Sequence, residues 1–227
     1  MMILVLGLVV AADAAVAVSP DERACQVGRG RTVYDLIAAE AACVLRCRSA
    51  MAADCHFPDG AGVASCIAHG KRHALRALFG AACRRSCPAC YGGCGRDVAS
   101  GEVEYSSGLV AGFGALVYCA AAPRPAEMRC ENRLARAAAW FARAHGRCFV
   151  RCHAAGCDGA GLGDVRAMAC AARAAARATA AIDARCAPSA APTCHAGRQG
   201  SDWITLVRAA VDHGRPVIFC DGDGAAH

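Results

Sequence analysis

The chain has 227 residues and a formal charge of +6; 56% of it is hydrophobic, 5% aromatic, and 18 residues are cysteine. Alanine supplies much of the apolar content, and an alanine-rich core buries little area per residue at about 25 cal/mol per Å². The even cysteine load therefore points to a disulfide scaffold made in an oxidising compartment and argues against a reduced cytosolic protein.

Residues 1–17 read as a signal peptide. An apolar run from Met2 to Ala12 is followed by Ala15-Val16-Ala17, an A-x-A cleavage pattern, although no Lys or Arg precedes the run. The run is shorter than the roughly 20 apolar residues a membrane span requires, so no transmembrane segment is expected in the mature chain. The expected location is secreted or periplasmic.

From Cys25 onward the cysteines repeat. Cys25, Cys43 and Cys47 recur 105 positions later as Cys130, Cys148 and Cys152, and "CVLRC" recurs as "CFVRC". With small gaps, Cys55 corresponds to Cys157, Cys66 to Cys170, Cys83 to Cys186, Cys90 to Cys194 and Cys119 to Cys220. Such ordered self-similarity is the mark of a duplicated unit. The units run over 25–119 and 130–220, joined by a Pro-containing linker at 120–129, and 221–227 form a tail. Cys87 and Cys94 have no counterpart.

Each unit reads as helical. In the first, Val33, Leu36, Ile37, Val44 and Cys47 share one face of a helix. Ile67, Ala74 and Leu78 mark the core side of the next helix, and Ser65, His69, Arg72 and Arg76 its polar side. In the second unit, Ala137, Phe141, Ala144, Cys148 and Cys152 form the apolar face, beside a stripe of Arg136, Arg143, Arg147 and Arg151. Asp164 is placed to cap a following helix, in which Met168, Ala175, Ile182 and Cys186 face inward and Arg166, Arg173 and Arg177 outward. A third segment closes each unit: a glycine-rich stretch ending at Cys119, and a helix from Ser201 or Asp202 followed by "RPVIFC", which reads as extended. The expected fold is all-α, with two tandem disulfide-stapled helical-hairpin units, each carrying a short third segment.

Cysteines four apart on a helix point the same way and reach an antiparallel partner more easily than each other. Nesting about each helical turn gives Cys47–Cys55, Cys43–Cys66 and Cys25–Cys83, then Cys152–Cys157, Cys148–Cys170 and Cys130–Cys186. The rival arrangement joins Cys47 to Cys66 and Cys43 to Cys55. The third segments are then tied by Cys90–Cys119 and Cys194–Cys220, and Cys87–Cys94 is left as a private pair.

The stretch "CPACYGGC" (87–94) is the one place where cysteine chemistry beyond scaffolding is suggested. Its Cys-x-x-Cys lacks the strand-to-helix setting that activates a redox thiol. Tyr91 stands where a haem-attachment motif needs His. Metal candidates are Cys87, Cys90 and Cys94, together with His69 and His73, four apart on one helix. The bland readings are a stapled loop and two histidines on a solvated face. The tail "CDGDGAAH" lacks the bidentate Glu of a calcium loop. No paired carboxylates, Ser/His/Asp set, phosphate loop or nucleotide fingerprint occurs in a fitting context, so neither a catalytic residue nor a cofactor is expected.

The blocks "CVLRC", "CFVRC", "DARC" and "DWITLVRAAVD" resemble those of alanine-rich, cysteine-repeat exported proteins of GC-rich bacteria, over Cys25 to Cys220. The resemblance implies an exported scaffold and carries no activity. The expected function is thus a non-catalytic extracytoplasmic binding or structural module. Its arginine stripes allow an anionic surface or a protein partner. The lack of aromatics interleaved with them argues against nucleic acid. The alternative is a metal-binding or thiol-redox protein using the Cys87–Cys94 cluster.

Overall fold

A computed structural model describes residues 18–50, 60–79, 81–119, 123–157, 164–186, 191–195 and 197–219. Residues 1–17, read from the sequence as a signal peptide, lie outside them, as do Cys55, Cys220 and residues 221–227. Among the described residues every regular element is helical, as expected. They are α1 (Pro20–Ala50), α2 (Ala61–Leu78), α3 (Ala81–Arg85), α4 (Arg96–Val117), α5 (Pro125–Ala154), α6 (Val165–Asp183), α7 (Gly200–His213) and α8 (Arg215–Phe219). Two single 3-10 turns, Ala89–Tyr91 and Thr193–His195, punctuate the connections. None of the helices is long and apolar enough to cross a membrane.

Local chemistry sets where the helices begin. Ser19 and Glu22 exchange backbone–side-chain hydrogen bonds at the start of α1, with Pro20 in the first turn. Glu127 accepts from the Arg124 amide at the start of α5, and Asp164 accepts from the Ala167 amide at the start of α6. Residues 125–129, read from the sequence as linker, are the first turn of α5. "RPVIFC" is not extended: residues 215–219 are α8, with Pro216 in the first turn, where its missing N–H costs nothing.

The two longest helices, α1 and α5, run antiparallel along their whole lengths, about 45 Å at 1.5 Å per residue. Near one end Gln26 meets His153, and near the other Arg48 meets Glu131 at 3.4 Å. In the middle Gly146 lies under the Tyr34 ring, where an added Cβ would come within 2.3 Å of ring carbon. Positions 26 and 131, and 48 and 153, are each 105 apart, so the two ends make corresponding contacts. The Arg48 guanidinium also lies over the Tyr118 ring, at 4.7 Å, and His153 lies beside the Phe219 ring, at 5.1 Å.

Around this axis α2, α3 and α4 pack on α1, and α6 and α7 on α5. The buried faces follow the expected pattern at Val33, Leu36, Ile37 and Val44 and at Ala137, Phe141, Cys148 and Cys152. Met168 departs from it and is 45% exposed; Ala167, Ala171, Ala174, Ala175, Ala178 and Ile182 form the inward face of α6. The α6 core side is thus almost all alanine, which lets α6 approach α5 closely but offers little area to bury.

Disulfides supply what that core lacks. Cys25–Cys83 and Cys43–Cys66 staple α1 to α3 and α2, and Cys130–Cys186, Cys148–Cys170 and Cys152–Cys157 tie down the α5–α6 hairpin. The rival pairing of Cys47 with Cys66 is excluded, because Cys66 is bonded to Cys43. Cys47 is disulfide-bonded; the expected partner, Cys55, is outside the described residues. Each bond stabilises by about 2–4 kcal/mol.

The third segments are joined differently from the expectation. Cys119 bonds Cys194, so neither Cys90–Cys119 nor Cys194–Cys220 exists. The reason is geometric: α4 ends against the turn that holds Cys194, and His195 beside it faces the last carbonyls of α4, Leu116 and Val117. The bond therefore crosses between the two halves of the chain.

Two measurements follow. Gly146→Ala, which in an open helix gains up to about 1 kcal/mol, is expected to destabilise by about 1–3 kcal/mol through overpacking against Tyr34; a urea midpoint at or above the parent's would refute the close crossing. In the cysteine matching read from the sequence, Cys119 and Cys194 correspond to Cys220 and Cys90, and Cys90 is disulfide-bonded. A non-reducing peptide map is expected to recover Cys90 linked to Cys220, and a peptide joining Cys90 to Cys55 would contradict it.

Candidate functional site

The loop 87–94 is a latch. Cys87 and Cys94 are bonded to each other and Cys90 is bonded elsewhere, so none of the three presents a thiolate. Gly92 and Gly93 take φ of 62° and 146°, backbone that a side chain would resist, and they turn the chain between the bonded sulfurs. Tyr91, at the position a haem motif would give to His, donates its hydroxyl to the Ile218 carbonyl in α8. Its ring lies 4.5 Å from the Arg29 guanidinium, and Arg29 in turn donates to Glu102 at 2.7 Å. Arg29 and Glu102 are both 1% exposed, so the loop is anchored on a fully buried ion pair.

His69 and His73 sit on the exposed side of α2. Among the described residues, three groups of His, Cys, Asp or Glu are compact enough to suggest a metal site: Cys25/Cys83/Cys94, Cys119/Cys194/His195 and Cys152/Cys157/Asp164. Each is built on disulfide sulfurs, which lack the negative charge a metal-ligating thiolate supplies. Neither His69 nor His73 belongs to any of them.

Buried titratable groups elsewhere serve packing. His145, 2% exposed, meets Asp212 at 2.8 Å between the Phe141 and Phe149 rings. Glu40 is fully buried on α1 and accepts from the Ser107 hydroxyl at 2.8 Å. Burial pushes its carboxyl above the usual range, with the Ser107 hydrogen bond opposing.

The surface feature with chemical content lies on the outside of the α5–α6 hairpin. Arg143, Arg147 and Arg151 rise from α5, and Arg173 and Arg177 from α6, to line one cleft of about 320 Å³. Steps of three and four place each set on a single helical face. Ala144 and Ala174 keep the floor low, the Cys148–Cys170 bond crosses it, and Trp140 forms one wall. Arg177 stacks over the Trp140 ring at 5.0 Å. Arg151 directs a guanidinium nitrogen at the Cys170 sulfur, 2.9 Å away. Arg143 and Arg147 share a single carboxylate, Asp35 of α1, at 2.7 and 2.9 Å.

The sequence placed these arginines on two solvated stripes; the structure turns the stripes toward each other. Arg136 stays outside the cleft, and Arg166 lines its neighbouring end with Arg151 and Arg173. The positions matched to these in the sequence reading of two units hold Ala38, Ala42, Arg46, His69 and His73. Only Arg46 is kept, and it repeats the contact with a crossing disulfide, at 3.0 Å from the Cys66 sulfur. The two tryptophans do not share a groove: Trp203 is buried between Phe113 and His195, whereas Trp140 is 38% exposed on the outer face. Compared with protein-family models, curated proteins and solved structures, the chain finds no match.

The buried carboxyl of Glu40 has a testable consequence. Because its folded pKa is raised, its stabilising contribution is whole below the unfolded value of about 4.3 and is lost as pH rises through the folded value. Glu40→Gln is expected to be more stable than the parent at pH 8 by about 1 kcal/mol and equal to it at pH 4, as read from urea midpoints. A constant difference across that range would contradict the assignment.

Proposed function

We propose that this is an exported, disulfide-stapled binding module made of two duplicated helical units, non-catalytic, that acts through the α5–α6 cleft on an anionic ligand. The observation that carries the reading is the charge count of that cleft: five arginines face one carboxylate among the described residues. Like charges drawn into one concave site repel, and a bound anion relieves that cost. The corresponding contacts at positions 105 apart support duplication. The near-total replacement of these arginines in the first unit supports a function that only the second unit performs. The cysteine load and the leader-like N-terminus support export.

The thiol-redox alternative retains one supporting observation: the Cys94 sulfur lies within 4.8 Å of both sulfurs of Cys25–Cys83, a placement suited to disulfide exchange. Titration of the denatured, unreduced protein separates the readings. The binding module is expected to show no free thiols, and two reactive thiols mapping to Cys87 and Cys94 would favour the redox reading. For the module itself, retention on immobilised dextran sulfate is expected to fall at least tenfold in Arg173→Ala/Arg177→Ala and to stay within about twofold in the exposed pair Arg136→Ala of α5 and Arg208→Ala of α7, both outside the cleft. Equal losses in both pairs would reduce the effect to net charge.

A further inference from the structure

We infer that the cleft ligand is a phosphate group and that Asp35 is its intramolecular competitor; this rests on the binding-module reading above. Asp35, which meets two of the cleft's arginines from α1 and is not itself among the lining residues, shows what those guanidinium groups accept. Its carboxylate takes one hydrogen bond from Arg143 through Oδ1 and engages Arg147 through both oxygens, at 2.9 and 3.1 Å. That uses a carboxylate's two oxygens and its single charge. Arg151, Arg173 and Arg177 line the same cleft, and among the described residues none of them meets a carboxylate. An anion serving these three needs more acceptor oxygens and more charge than a second carboxylate brings. A phosphate carries about −1.5 to −2 and three strong acceptor oxygens, and guanidinium forks match it edge to edge. Trp140, held under Arg177, supplies an apolar wall for whatever the phosphate is attached to.

Asp35 comes from α1 rather than from the hairpin that carries the arginines, and its side chain is 37% exposed, so a ligand can displace it without opening the core. Removing its charge frees two guanidinium groups. A carboxylate present only to hold α1 against α5 would give the opposite result, since its loss would loosen the cleft.

The test is titration of the folded, oxidised protein with inorganic phosphate, followed by calorimetry and by the Trp140 fluorescence change, with sodium acetate as the carboxylate control. Phosphate is expected to bind at least tenfold more tightly than acetate, to lose at least tenfold in Arg173→Ala/Arg177→Ala, and to gain three- to tenfold in Asp35→Asn, with Asp35→Glu close to the parent. Unchanged or weaker phosphate binding in Asp35→Asn would overturn the competitor role. Retention on dextran sulfate without phosphate preference over acetate would overturn the phosphate assignment while leaving the anionic cleft standing. Loss of both would remove the binding-module reading as well. Two further arms identify the source of the group: glycerol phosphate in solution, and phosphatidylglycerol vesicles against phosphatidylcholine vesicles. Binding of the soluble ester marks a soluble phosphate ester, and binding of the anionic vesicles alone marks a lipid headgroup.

Discussion

The structure depends on the antiparallel contact between α1 and α5. Gly146 brings the two backbones together beneath the Tyr34 ring, and polar contacts at both ends, Gln26 with His153 and Arg48 with Glu131, fix the register. A slide of one helical turn would unpair buried polar groups at both ends, at a cost of about 1–3 kcal/mol for each group left without a partner. Every other element is placed from this axis: α2 and α4 against α1, α6 and α7 against α5. The Asp35 contacts follow from it too, because Asp35 reaches Arg143 and Arg147 only when α1 and α5 hold this register.

Charge inside the molecule is used for specificity more than for stability. Arg29 with Glu102, both 1% exposed, costs desolvation that its hydrogen bond only partly repays. The pair nonetheless fixes where α4 lies on α1 and gives the Tyr91 ring its seat. An alanine-rich core is shape-poor, and many alternative packings of smooth helices bury similar areas. Buried polar pairs and disulfides remove those alternatives, since each accepts a single geometry.

Much of this was legible in the sequence, for a physical reason. Bonds nested about a helical turn are local, so helical period and cysteine spacing narrowed the pairing to two arrangements, and the one with Cys43–Cys66 and Cys148–Cys170 is the one found. Cys119–Cys194 was not legible, because its partners meet only through the packing of α1 on α5. "RPVIFC" misled because its β-branched and aromatic residues favour strands, and the sequence holds no hint that α1 and α7 leave a helical seat for it. Met168 misled because one residue's drift on the helical wheel separates an inward from an outward face when every neighbour is alanine. The arginines were assigned to the right faces; that the two faces oppose each other is a property of the α5–α6 crossing, which periodicity does not encode.

The bond between Cys119 and Cys194 makes the peptide link between the two halves redundant. With that crossing closed, the segment between α4 and α5 no longer carries the job of keeping the halves in one molecule; a covalent strut does. Such a chain is free to vary, lengthen or lose that segment without dissociating.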